Sequence, residues 1–350
     1  MPRALAAVLL ALAVPLFAQE QPQMKTGETI TVERILIDAR VTTGAGDPIL
    51  NLGASDFKVR IDGKPAKVES VEWIPDTAAA REMADIDKPA QREPEGVEVP
   101  EPQGRLIVVF FQTDFQREDV RIRGQMKILS FADDFVDSLE PEDRVAVFSY
   151  DSHLKFRLDF TSRATDIQAA FRDCLAINEP PWPRVVPMPS LAKRLDPKAM
   201  KDAGSPEKAL VLIGNALRPI PGPKSLILFG WGLGRLSGDH IYFGKDFMIA
   251  LRALEASRVT VFALDLTQAD WHSLAGGLAA PAYATGGFYA ETYHFPYLAM
   301  DRLKKTLSGH YELEVRKPEL KTVGVHEIEV DVVGHRDAEV MARKTYLDRD

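Results

Sequence analysis

From residue 105 to 308, apolar runs of strand length alternate with amphipathic runs of helix length, and on either side the pattern changes to period two. Strand and helix units in alternation require a mostly parallel sheet covered by helices on both faces. Period-two stretches require antiparallel strands with one covered face. The fold class expected is therefore α/β, with an additional β structure built from the flanks.

Within the block, Leu106-Ile107-Val108-Val109-Phe110-Phe111 is an unbroken apolar run, the pattern of a strand buried on both sides. A helix carrying Ile122, Met126, Leu129, Phe131, Val136 and Leu139 follows and stops at Pro141. Further strands are expected at 145–150, 226–229, 259–264 and 288–289, with an edge strand of polar alternation at 154–160. Helices are expected at 164–177, 206–217, 245–258, 269–279 and 296–307, and a proline-rich insertion at 178–205. In such sheets ligands bind beyond the carboxyl ends of the strands.

The flanks are shorter. Residues 28–74 alternate through Ile35, Ile37, Ala39 and Val41, then through 57–61 and 68–73, with Asp62-Gly63 between the last two runs as a hairpin signal. Residues 75–104 carry five prolines among acidic residues and read as an extended linker. Residues 309–350 hold three more alternating runs, at 311–315, 325–333 and 340–346. Isolated hairpins are marginal. The economical arrangement is one small β-sandwich formed by both chain ends, with the α/β domain at 105–308 inserted between them.

Residues 1–18 read MPRALAAVLLALAVPLFA, one arginine and an apolar run closed by Ala18 before a polar stretch, the pattern of a secretory signal peptide. Export to the periplasm or the medium is the expected localisation. No other stretch approaches the roughly 20 apolar residues of a spanning helix. The formal charge of −8, with no basic stripe, argues against nucleic acid as a partner. The single cysteine, Cys174, cannot form an internal disulfide and is read as a buried apolar residue.

The fragments VTTGAGDPILNLGASDFKVRIDGKP at 41–65, the strand at 106–111, PEDRVAVF at 141–148, DFT at 159–161, PGPKSLILF at 221–229 and ATGGF at 284–288 stand in a recognisable order. In that order the chain resembles secreted bacterial proteins related to the von Willebrand factor type A domain. The resemblance implies a Rossmann-like domain used for binding rather than catalysis. It also implies, in many members, a divalent metal at the carboxyl edge of the sheet. Those members place Asp-x-Ser-x-Ser after the first strand, a threonine after the third and an aspartate after the fourth.

This chain departs from that pattern. After the first strand it has Gln112-Thr113-Asp114-Phe115-Gln116, after the third Thr161, and after the fourth Gly230-Trp231-Gly232. One carboxylate and two amides neutralise a dication poorly, and an indole supplies no ligand. No metal site of the usual kind is expected, and no cofactor. The alternative is a rearranged site around Asp114 and Thr161 that takes Mg²⁺ or Ca²⁺.

The same edge is the expected contact surface for a protein or glycan ligand, through Gln112, Asp114, Gln116, Thr161, Trp231 and Asp265. Trp231 between glycines reads equally as an exposed contact or as an inward plug in place of the metal. The proline-rich insertion, with Trp182, is a second place where a partner could dock, weighed against a packed loop with no partner. No nucleophile elbow, zinc-binding His-Glu-x-x-His or phosphate-binding loop occurs. The expectation is a non-enzymatic, adhesion-type binding module. Its alternatives are an envelope hydrolase, for which a cleft joining Asp239, His240 and Asp265 would be diagnostic, and a purely structural envelope protein.

Overall fold

The computed structural model describes residues 33–86, 104–113, 123–124, 126–127, 129–130, 132–176, 178–187, 189–320 and 322–348. The expected signal peptide at 1–18 lies outside them, as do Asp114 and Gln116.

The first flank forms β1 (Arg34–Thr42), β2 (Phe57–Ile61), β3 (Lys64–Ala66), β4 (Val68–Pro75) and α1 (Ala78–Ile86). The α/β block begins with β5 (Leu106–Gln112), α2 (Ala132–Asp137), β6 (Arg144–Tyr150), β7 (Leu154–Thr161) and α3 (Ala164–Asp173). It continues with α4 (Pro197–Lys201), α5 (Pro206–Leu217), β8 (Lys224–Gly230), β9 (Arg235–Ser237), β10 (His240–Tyr242) and α6 (Lys245–Ala256). It closes with β11 (Val259–Asp265), α7 (Ala275–Ala284), β12 (Tyr289–Glu291) and α8 (Pro296–Thr306). The second flank supplies β13 (Gly309–Arg316), β14 (Val325–Val332), β15 (Glu339–Ala342) and β16 (Thr345–Leu347).

The α/β sheet has the order β12-β11-β8-β5-β6-β7, parallel throughout except for β7, which runs antiparallel to β6. Every residue of β8 and β11 is buried, the polar Lys224, Ser225, Thr260 and Asp265 along with the apolar runs 226–229 and 261–264. One face packs Val108, Phe110, Leu226 and Leu228 against Leu210, Ile213 and Leu254 of α5 and α6. The other packs Val109, Phe111, Ile227 and Phe262 against Phe171 of α3 and Leu303 of α8. Burial of one such side chain contributes about 1.5–3 kcal/mol.

Both chain ends build the sandwich, as expected. Its sheets are β15-β1-β13-β4 and β16-β14-β2-β3, all antiparallel, so each contains strands from both flanks. Ile37, Tyr311 and Leu313 from one sheet and Val59, Ile61 and Ile328 from the other share one core. The β2–β3 turn is Asp62-Gly63, with φ of 49° and 73°. Two successive left-handed residues match the twist of a two-residue hairpin, which explains aspartate and glycine there.

The sandwich meets the α/β block at the amino edge of the parallel sheet. Arg258, just before β11, holds Asp38 of β1 at 2.5 Å and Glu312 of β13 at 3.0 Å. Lys344 donates its N–H to the Ala284 carbonyl at 2.8 Å, and Arg105 reaches the Leu307 carbonyl at 3.1 Å.

Three expectations need correction. Residues 78–86 of the expected linker are helical, because Ala78-Ala79-Ala80-Arg81-Glu82-Met83-Ala84 is rich in helix formers and free of proline. The run at 340–346 is two strands, not one: β15 pairs with β1, β16 pairs with β14, and the chain changes sheet at Arg343-Lys344. The helix expected at 269–279 begins at Ala275 instead, because the preceding loop is tied to Asp265. Only the later part of the insertion at 178–205 packs, with Leu191, Leu195 and Met200 in the core, whereas Trp182 stays 41% exposed with its ring edge-on to Phe156 at 5.7 Å. Buried Asp159 accepts from Ser190 Oγ at 2.6 Å and from Leu191 N at 2.8 Å, pinning the insertion to β7.

Candidate functional site

The carboxyl edge of the sheet gathers the last residues of β5, β6, β8, β11 and β12. Gln112, which ends β5, is 1% exposed. Its Nε2 donates to the Gly232 carbonyl at 2.9 Å, and its Oε1 accepts from the N–H groups of Trp231 at 3.1 Å and Gly232 at 3.2 Å. Gln112 is thus a strut that fastens the loop after β8 onto the end of β5, not a contact residue. Thr113 is also turned to the backbone, donating from Oγ1 to the Tyr150 carbonyl at 3.1 Å. Trp231 is half-buried beside this strut.

Asp265, which ends β11, is 2% exposed and fully engaged. Its carboxylate accepts from the Tyr289 hydroxyl at 2.8 Å, from Thr267 N at 2.9 Å, and faces His272 Nδ1 at 2.6 Å. Its carbonyl accepts from Thr292 Oγ1 at 2.6 Å. A buried carboxylate needs such donors to offset its desolvation. Burial, and then the Asp265 charge, push the Tyr289 phenol well above the usual tyrosine range. With Nδ1 committed to Asp265, the His272 Nε2 faces Thr267 Oγ1 at 3.4 Å.

Thr161 is not at this edge. Because β7 runs antiparallel, Thr161 pairs with Val145 near the start of β6, whereas Gln112 pairs with Tyr150 at its end. Five residues of strand separate the two rows, about 17 Å at 3.3 Å per residue. The turn from Tyr150 to Leu154 holds three residues, too few for a parallel crossover, and that spacing was the signal of the reversal.

Of the alternative cation site around Asp114 and Thr161, Asp114 lies outside the described residues and the rest of the edge offers few free ligands. Thr161 lies at the opposite edge, the Gln112 carboxamide is spent on the backbone, Asp265 holds internal donors, and Trp231 offers no ligand oxygen. Among the described residues no three His, Cys, Asp or Glu side chains are placed to hold a metal ion. The diagnostic cleft of the hydrolase alternative is also not formed. Asp239 and His240 project from the β9–β10 hairpin with side chains 91% and 87% exposed, while Asp265 is buried among other partners. The hairpin itself was legible in Gly238-Asp239, a two-residue turn pair.

What the edge does present is aromatic. Trp271, in the loop after β11, is 79% exposed. Its neighbour Asp270 accepts from His294 Nε2 at 2.7 Å, which ties this loop to the one after β12. There the His294 ring lies 4.3 Å from Tyr293 and 6.1 Å from Phe295, and Phe295 meets Tyr297 edge-on at 6.2 Å. Phe295, Tyr297 and Leu298 are all more than half exposed. A groove of about 530 Å³ runs from Phe295 and Leu298 along α8 to Ala45 in the β1 turn. None of these residues was singled out from the sequence. The signal was the run Tyr293-His294-Phe295-Pro296-Tyr297, where Pro296 opens α8 and leaves the aromatics ahead of it in a loop.

No family model matches the chain, and no curated protein matches it. Among solved structures it is similar to BatB, a conserved hypothetical protein from Bacteroides thetaiotaomicron, at 14% identity and TM-score 0.39, covering 59% of this chain and 98% of that one. It is similar to a von Willebrand factor type A protein from Catenulispora acidiphila at 12% identity and TM-score 0.39, covering 86% and 74%. Manganese-loaded TRAP protein of Plasmodium vivax aligns at 10% identity and TM-score 0.37, covering 69% and 94%. By its own strand order, its helices on both faces and its ordered sequence fragments, the α/β block has a von Willebrand factor A-like fold, set into a β-sandwich made from both ends of the chain.

Proposed function

We propose that this chain is an exported, non-enzymatic binding module that engages a protein partner through the aromatic carboxyl edge of its parallel sheet, without a divalent metal. The observation that carries this reading is Trp271, 79% exposed and held beside the Tyr293–Tyr297 aromatics by the Asp270–His294 pair. Exposed tryptophan and tyrosine supply much of the energy at protein interfaces, and contiguous exposed apolar surface marks an interaction site. The sandwich is fastened at the amino edge and leaves Trp271 open. Export rests on the signal-like residues 1–18. The test is a Trp271→Ala/Phe295→Ala double variant, which loses partner capture while its thermal midpoint stays at the wild-type value. Unchanged capture would sink the assignment.

One observation favours the hydrolase reading instead: Asp265, His272 and Thr267 stand in line as carboxylate, imidazole and hydroxyl. Against it, the Asp265 carboxylate is shared with Tyr289 and the Thr267 amide, which makes it a strut. Ester hydrolysis that disappears in Thr267→Val would establish the hydrolase reading.

A further inference from the structure

The amino edge of the sheet carries a second concavity, where the ends of α5 and α6 meet β14 and β16. It has a volume of about 260 Å³ and is lined by Arg218, Arg252, Arg258, Arg343, Glu255 and Tyr346. Four arginines and one glutamate contribute to its wall, on a chain whose formal charge is −8.

The charges there are unevenly matched. Arg258 is neutralised by Asp38 and Glu312. Among the described residues Arg218 and Arg252 make no ion pair within 4 Å, although Arg252 and Arg343 lie near enough to Glu255 to favour its charged form, and Arg343 donates from Nη2 to the Leu36 carbonyl at 2.7 Å. The Arg343 Nε is buried with no hydrogen-bond partner. Glu255, the one acid in the wall, is occupied by the Thr345 hydroxyl at 2.6 Å, and burial raises its carboxyl above the ordinary range. The buried guanidinium donor without an acceptor, Arg343 Nε, is costly, and the exposed forks of Arg218 and Arg252 beside it match the oxygens of a phosphate or carboxylate group.

We infer that this pocket is a binding site for a small free oxyanion of the phosphate or phosphomonoester class, held by Arg218, Arg252 and Arg343. The site lies at the opposite edge from Trp271, so it goes beyond the partner-binding reading and stands or falls separately. The neutralised Arg258 forms its back wall. Glu255 limits the site to ligands that can share it, which favours an oxyanion carrying a proton or a hydroxyl over a bare trianion.

The experiment is calorimetric titration of the full chain with inorganic phosphate at low ionic strength, with vesicles containing phosphatidic acid as a second arm. The variants are Arg218→Gln and Arg252→Gln, both exposed positions outside the core, with Arg60→Gln on the sandwich as the charge control. Saturable phosphate binding, weakened about tenfold or more by each pocket variant and unchanged by Arg60→Gln, supports the site. No saturable binding by the wild type, equal loss in the control, or binding confined to the vesicles overturns it.

Discussion

The carboxamide of Gln112 clasps the backbone of Gly232, donating to its carbonyl at 2.9 Å and accepting from its N–H at 3.2 Å. Glutamine is suited to this double role because it carries both a donor and an acceptor on one planar group. Gln112→Glu removes the donor and places a buried charge against a carbonyl, and Gln112→Leu takes the acceptor from the buried Gly232 N–H and the donor from its carbonyl. Each is expected to cost about 2–4 kcal/mol, read as a lowered urea midpoint with unchanged slope. A midpoint equal to wild type would show that the clasp does not form.

The same clasp bears on cations. Because Gln112 and Asp265 are internally committed and Trp231 lacks a ligand oxygen, titration with Mg²⁺, Ca²⁺ or Mn²⁺ is expected to give no saturable heat and no rise in thermal midpoint. Saturable binding that is lost in Asp114→Ala would establish the rearranged site.

The junction of the two domains depends on Gly286. It has φ of 82°, and a Cβ there would come within 2.7 Å of the Ala342 and Arg343 backbone. Gly286→Ala therefore combines a strained left-handed residue with a clash against chain that cannot move aside. A loss of about 2–4 kcal/mol in unfolding free energy is expected. A loss below about 0.5 kcal/mol, the scatter of surface substitutions, would contradict the close approach.

Lys224 gives a pH signature. Burial, with Arg258 nearby, pushes its ammonium down from 10.5 to about 8. Between those two values the unfolded chain binds the proton and the folded chain does not, so stability rises as pH climbs from about 8 toward 10.5. The penalty is fully present below about 8. Chemical denaturation of wild type and Lys224→Met at pH 7.5, 8.5 and 9.5 is the check: the wild type gains relative to the variant with rising pH, and parallel curves would contradict it.

Much of this architecture was legible because its signals are local. The unbroken run at 106–111 became the buried strand β5, Asp62-Gly63 became the hairpin turn, and the incomplete flanks completed each other in one sandwich. Chain direction was harder. Period two is the same in both directions, so Thr161 was placed at the wrong edge, although the short Tyr150–Leu154 turn encoded the reversal. The site was less legible still. Gln112 and Asp265 are correctly at the carboxyl edge, yet whether a polar side chain faces outward or inward depends on partners as remote as Gly232 and Tyr289. The exposed aromatics escaped notice because the pair that assembles them, Asp270 and His294, is 24 residues apart.

The central claim is that the Trp271 edge is the surface that meets a partner. The most direct measurement is photo-crosslinking in the native host, with a photoreactive residue at position 271 and, as control, at the exposed Met248 of α6. A discrete adduct from 271, absent from 248 and competed by wild-type protein but not by Phe295→Ala/Tyr297→Ala, is the predicted result. No adduct from 271, or the same adduct from both positions, would contradict the account.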